Sequence, residues 1–255
     1  MIHPTKGLQG LVVCVQYDDI LALTLPFTVR HFDKIVVVTA SFDVNTQATI
    51  SRYGMIEPHI TDVFYEDGAV FNKGAAVEEA ITKLDPEKWT VIFDADIIMP
   101  RDLNLRDLDA DTLYGPHRWN VPNKPAYYAA IATPNFNLTG LVKMGDKEFP
   151  GYFQLFHPGA AALKERPWYS THWKHAGGCD SDFQAKFAKR VRLDFPVLHL
   201  GMVHTNWHGR ATPRWDGKSG APGRIGPEDA QRLHRDMLNK RREYRGVSPL
   251  EFLGS

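Results

Sequence analysis

Apolar residues along the chain fall into short, β-branched runs separated by stretches with helical spacing. Residues 10–16 (GLVVCVQ) form one such run and end abruptly in Tyr17-Asp18-Asp19. That is the pattern of a buried parallel strand whose carboxyl end opens into a polar loop. Residues 20–31 carry apolar positions at helical spacing, interrupted by Pro26, and lead into a second buried run, KIVVVT at 34–39. Asp43 and Asn45 can cap a helix over 46–53, Gly54 can stop it, and DVFY at 62–65 reads as a short third strand. A helix is expected over 75–84. WTVIF at 89–93 reads as the fourth strand and runs straight into Asp94-Ala95-Asp96, with Pro100 in the loop beyond.

This alternation predicts an α/β fold with a mixed, mainly parallel sheet and flanking helices. From Tyr114 to Phe156 the pattern changes to short aromatic-rich segments split by Pro122, Pro125, Pro134 and Pro150, which predicts hairpins and loops. A helix over 180–189, a strand over 191–199 and a basic helix from 227 to about 244 follow. The Gly/Pro-rich stretch 209–224 between them is expected to be a mobile loop. The expected organisation is a domain over 1–210, with halves 1–100 and 101–210, and a tail over 211–255.

Composition narrows the classes. With 30 basic against 30 acidic residues, the net charge is +0, so the whole molecule has no field that draws it to nucleic acid or an anionic membrane. Cys14 and Cys179 match neither metal-type spacing nor a disulfide framework, and no apolar run approaches the roughly 20 residues of a spanning helix. Cytoplasmic residence without a membrane span is the expectation.

Asp94 and Asp96 stand two positions apart at the end of an apolar strand, so they project from the carboxyl edge of the sheet, where open α/β folds bind ligands. Such a pair can hold Mg²⁺ or Mn²⁺ against a diphosphate, because these ions take carboxylate oxygens together with phosphate oxygens and water. A solvated turn is the plain alternative.

Phe93-Asp94-Ala95-Asp96 after a strand resembles the DxD motif of GT-A glycosyltransferases, over Leu11 to about Arg210. The resemblance implies a GT-A fold, a nucleotide-sugar donor (a UDP-sugar) and 101–210 as the acceptor and catalytic half. It also implies nucleotide contacts at Gln16, Tyr17 and Asp18, with Thr39 and Asp43, and near Ala95 in the motif. Phe71-Asn72-Lys73-Gly74 is similar to the nucleotide-contacting segment before the DxD strand. There Lys73 offers a charge to phosphate and Gly74 permits close backbone approach, while a plain helix cap at Asn72 is the alternative.

His175-Ala176-Gly177-Gly178-Cys179-Asp180-Ser181-Asp182-Phe183 resembles the Gly-Gly-Glu-Asp-Asp-Asp stretch of β-1,4-galactosyltransferase-like inverting enzymes. By position it makes Asp180 the general base, with Cys179 and Ser181 replacing carboxylates of that family. Asp180 can also cap the helix near Ser181. The segment from His199 to Arg210 is similar to the late histidine segment that completes the metal site in GT-A enzymes, and to glycogenin-like transferases. His199 is the first choice as third ligand and His204 the second, and Arg210 or Lys218 reaches the diphosphate on loop closure.

Trp119, Tyr127, Tyr128, Tyr152, Phe153 and Trp173 offer flat faces to a sugar, or serve as core. The function expected is metal-dependent transfer of a sugar onto a glycan or small hydroxyl compound, with inversion. Transfer to hydroxymethylated bases in DNA stands second, because of the basic residues at Arg232, Arg235, Lys240, Arg241, Arg242 and Arg245. A nucleotidylyltransferase or a noncatalytic nucleotide-binding module is the alternative from another class. Against the former, VCVQYDD stands where a Gly-rich phosphate loop would follow the first strand.

Overall fold

The computed structural model describes residues 7–144 and 151–200. Among them the strands are β1 (Gln9–Val13), β2 (Lys34–Thr39), β3 (Ile56–Ile60), β4 (Thr90–Asp94), β5 (Ile97–Ile98), β6 (Thr112–Asn120), β7 (Val142–Lys143), β8 (Phe153–Phe156) and β9 (Lys189–His199). The helices are α1 (Asp18–Thr28), α2 (Val44–Ile50), α3 (Lys73–Ala80), α4 (Lys124–Ala130) and α5 (Cys179–Ala185).

All nine strands join one mixed sheet in the order β3-β2-β1-β4-β8-β6-β9-β5, with β7 on β6. The fold is α/β as expected, because β1, β2 and β4 are apolar on both faces and so need cover on both. Leu25 of α1, Ile50 of α2 and Tyr127 of α4 belong to the core on one face, with Val12, Val37 and Phe93. Val77 of α3 and Phe183 of α5 belong to the core on the other, with Leu11, Val36 and Ile92.

Three sequence expectations change. The third strand is IEPHI at 56–60, not DVFY at 62–65. Pro58 lacks an amide hydrogen, and β3 lies at the sheet edge, where that lack is tolerated. The Asp62 carboxylate accepts the Ser41 N–H at 2.9 Å and the Ser41 hydroxyl at 2.5 Å, and residues Val63–Gly68 turn as a 3-10 segment.

The stretch 114–156 supplies most of β6 and all of β8 to the main sheet, with the short β7 antiparallel on β6. Pro125 does not break structure there: it sits in the first turn of α4, capped by Asn123, where a missing N–H costs nothing. The helix expected over 180–189 begins at Cys179 and ends at Ala185, and the strand after it starts at Lys189.

Strand directions decide what gathers at one edge. β1, β2 and β4 are parallel, β8 is antiparallel to β4 and β6, and β9 is parallel to β6. The carboxyl ends of β1, β2, β4, β6 and β9 and the start of β8 therefore share one edge. Cys14 and Cys179 are both buried and free. Among the described residues, no helix is long and apolar enough to cross a membrane.

Candidate active site at the carboxyl edge of the sheet

β1 lies between β2 and β4. The chain therefore builds outward on one side of β1, returns, and continues on the other, which opens a crevice at the carboxyl ends of β1 and β4. Asp94, Ala95 and Asp96 leave β4 at this point.

Lys73, the first residue of α3, reaches across it. Its Nζ donates to Asp94 Oδ1 at 2.8 Å and to Asp180 Oδ2 at 3.1 Å, and the residue is only 6% exposed. Burial alone would lower the ammonium pKa, but the negative charges of Asp180 and Asp94 outweigh it and hold it well above its ordinary value. Lys73 therefore ties the first carboxylate of the motif to the candidate base instead of standing free for phosphate.

Asp180 occupies the first turn of α5, not its cap. The helix begins at Cys179, and the capping position is Gly178, with φ at 101°. A Cβ on Gly178 would lie 2.3 Å from Trp173 Cε2, so glycine is required there for space as well as for backbone conformation. Burial raises the Asp180 carboxyl to a pKa of about 6, with Lys73 opposing the shift and Asp94 adding to it. Asp180 Oδ1 is buried and accepts no hydrogen bond. Gly151 packs against this side chain so closely that a Cβ on it would lie 2.7 Å from Asp180 Cβ.

Asp96 and His199 form the second constellation. Pairing of Ile97 with His199 across β5 and β9 brings them together, with His199 Nε2 3.3 Å from Asp96 Oδ2 and both residues 6% exposed. The loop is pinned by the Leu200 N–H on Asp96 O and by the Thr24 hydroxyl on Ala95 O. Burial pushes the Asp96 carboxyl upward, but the neighbouring His199 overrides it and leaves the pKa below its ordinary value. Asp96 Oδ1 and His199 Nδ1 are buried without hydrogen-bond partners, while His199 Nε2, on the side of the ring that faces Asp96, is the nitrogen placed to share an ion with that carboxylate once the imidazole is neutral. A carboxylate oxygen and an imidazole nitrogen fit Mn²⁺ or Mg²⁺ completed by phosphate oxygens and water. Asp94 does not join them in a set of three: among the described residues no group of three His, Cys, Asp or Glu side chains gathers as a metal site.

Several other expected contacts turn out to hold the framework. Asp43 caps α2 through the Thr46 N–H at 3.2 Å, and its other oxygen accepts the Gln16 N–H at 2.5 Å and the Thr39 hydroxyl at 3.2 Å. Thr39 and Asp43 thus lock the β1 and β2 loops from inside, and both are buried. Gln16, at φ 60°, and the half-buried Asp18 remain at the edge, while Tyr17 is buried beside them.

Asn72 caps α3 through the Ala75 N–H and donates to Thr171 O at 2.8 Å. At Gly74 the close approach is from Ser170 O, 2.0 Å from where a Cβ would stand. Ala95 is buried with its carbonyl engaged. Arg210, His204, Lys218 and the basic segment that suggested DNA lie outside the described residues.

One residue at this edge had no signal in the sequence. Arg118, near the end of β6, sets its guanidinium 4.5 Å from the centroid of the Tyr152 ring. A lone arginine in a strand carries no motif.

No protein-family model and no curated protein matches the sequence. Among solved structures, the chain is similar to glucosyl-3-phosphoglycerate synthase from Mycobacterium tuberculosis in complex with phosphoglyceric acid, at 11% identity and a TM-score of 0.49, over 96% of this chain and 81% of that one. It is also similar to HddC from Yersinia pseudotuberculosis, at 10% identity and a TM-score of 0.46, over 76% and 94% of the two chains. A third likeness is to 4-diphosphocytidyl-2C-methyl-D-erythritol synthase from Anaerococcus prevotii, at 13% identity and a TM-score of 0.39, over 74% and 90%. At such identity the likeness extends no further than chain path.

Proposed function

We propose that this chain is a divalent-metal-dependent glycosyltransferase of GT-A type. It takes a nucleotide-diphosphate sugar, a UDP-sugar by expectation, and transfers the sugar to an acceptor hydroxyl with inversion. The observation that carries the reading is the convergence, at the switch point of the sheet, of two kinds of unsatisfied group: Asp96 with His199, and Asp180. Residues 1–100 take the nucleotide, with Gln16, Tyr17 and Asp18 nearest to it, and 101–210 take the acceptor.

Asp96 and His199 hold Mn²⁺ or Mg²⁺, which when bound neutralises the diphosphate and stabilises its departure. Asp180 Oδ1 accepts the proton of the acceptor hydroxyl as its oxygen forms the bond to the anomeric carbon. A carboxyl with a pKa of about 6 is ionised at neutral pH yet more basic than an ordinary aspartate, which suits that task. Lys73 fixes the other oxygen of Asp180 and draws Asp94 into the same ion pair, so the base is oriented before substrate arrives.

Calorimetric titration of UDP and UDP-glucose, with and without Mn²⁺, into wild type and Asp96→Ala tests the metal site. Binding to wild type that needs the metal and vanishes in the variant is expected, and metal-independent binding would remove Asp96 from this role. The product separates the enzyme classes: nucleoside diphosphate is expected, whereas pyrophosphate would mean nucleotidyl transfer. A product with retained anomeric configuration would take the base role from Asp180.

A further inference from the structure

Arg118 brings a half-buried positive charge to this edge; among the described residues it forms no salt bridge, and its charge acts on Asp96. Its guanidinium lies over the Tyr152 ring, and its Nε is buried without a hydrogen-bond partner. A guanidinium N–H removed from water and left unpaired costs free energy that an anion would offset. The planar fork of arginine matches the oxygens of a carboxylate or a phosphate.

The platform beneath it is rigid. Tyr152 donates its hydroxyl to Pro116 O at 2.9 Å, and the same oxygen accepts from Arg192 Nη1 at 3.0 Å, so a second guanidinium adds positive charge beside the ring. Tyr152 O also accepts the Asp94 N–H at 3.0 Å, and Gly151, the residue before it, packs on Asp180. The arginine platform is thus continuous with the candidate base.

Position assigns this charge to the acceptor. β8 separates β6 from β4, and β1 and β2 lie beyond β4. Arg118 is therefore two strand spacings, roughly 10 Å, from β4 on the side away from β1 and β2, and its charge reaches Asp96 on the loop after β4. Resting on the glycosyltransferase reading above, we propose that Arg118 anchors a carboxylate or phosphate borne by the acceptor. The acceptor is then a small anionic hydroxyl compound, not a neutral sugar.

The test titrates glycerol 3-phosphate, D-glycerate and neutral glycerol into the full chain, with and without UDP and Mn²⁺, and repeats this on Arg118→Gln and Arg118→Lys. Glycerol 3-phosphate, D-glycerate or both are expected to bind wild type, and glycerol is not; which anion binds tells phosphate from carboxylate. Arg118→Gln should weaken the anion on the order of tenfold or more, since a hydrogen bond to a charged group is at stake, while UDP–Mn²⁺ affinity stays within about twofold. Arg118→Lys, which keeps the charge, should lose less.

Unchanged anion affinity in a folded Arg118→Gln overturns the proposal, as does the absence of any anion binding to wild type. A UDP–Mn²⁺ affinity that falls in step with the anion also overturns it, because the arginine would then serve the donor. Anions bound through Arg118 in a protein that binds no nucleotide would sink the glycosyltransferase reading and leave the anion site standing.

Discussion

At Asp180, burial and a single bridging lysine set both the geometry and the titration of a carboxylate. In the proposed role of Asp180 as base, only the ionised form takes the acceptor's proton, so activity is expected to fall as pH drops through the raised pKa of about 6. The rate with saturating metal and donor should drop roughly tenfold per pH unit below that value and level off above it. Asp180→Asn should lower kcat by about 10²–10⁴ while leaving UDP affinity in place. A rate in wild type that shows no acid limb, or an asparagine variant with near-normal kcat, would take Asp180 out of the chemistry.

Lys73 was legible as a cation before the motif strand, yet its partners were not. Lys73–Asp180 spans 107 residues, and that contact exists only because α3 and α5 both lie against the same face of the sheet. Asp43 shows the reverse case. Its residue type suits a ligand contact or a cap equally, and in the fold both its oxygens are engaged, one by the cap on Thr46 and the other by Gln16 and Thr39.

Among secondary-structure elements, the Lys73 ion pairs join the start of α3 to the end of β4 and the first turn of α5. Removing the cation in Lys73→Met leaves a buried carboxylate beside a second one. Loss of one partner of a buried pair costs about 3–5 kcal/mol at most. The cost here is smaller, because the Asp94 side chain is 36% exposed and water relieves part of it. Denaturant unfolding should show the loss, and any acid limb of the residual activity should move to higher pH, since Lys73 opposes the upward shift of Asp180. A variant as stable as wild type with an unmoved limb would mean that the bridge neither supports the fold nor orients the base.

The elements also show where pattern reading fails. Buried runs such as 34–39 announce themselves, because a strand covered on both faces is apolar throughout. β3 is half exposed and contains Pro58, and α4 opens with a lysine and a proline, so neither carries a clean period.

The whole molecule is organised about β1 and β4, which are flanked by strands on both sides and covered on both faces. Native-state hydrogen exchange should find the slowest amides in β1, β2 and β4, and faster exchange in β3 and β7, the edge and side strands. Amides in β3 as protected as those of β1 would contradict the strand order.

The alternation of apolar runs with helical spacing was enough to fix the α/β class, the first two strands and the strand that ends in Asp94-Ala95-Asp96. These depend on burial and on local period, and both are written in neighbouring residues. Which groups meet at the edge was settled by chain topology. The pairing of β5 with β9 joins Asp96 to His199, the packing of α3 and α5 on one face joins Lys73 to Asp180, and the place of β6 beyond β8 brings Arg118 over Tyr152. Charge–charge and hydrogen-bond energies at a few ångströms depend on spatial neighbours that no local period encodes.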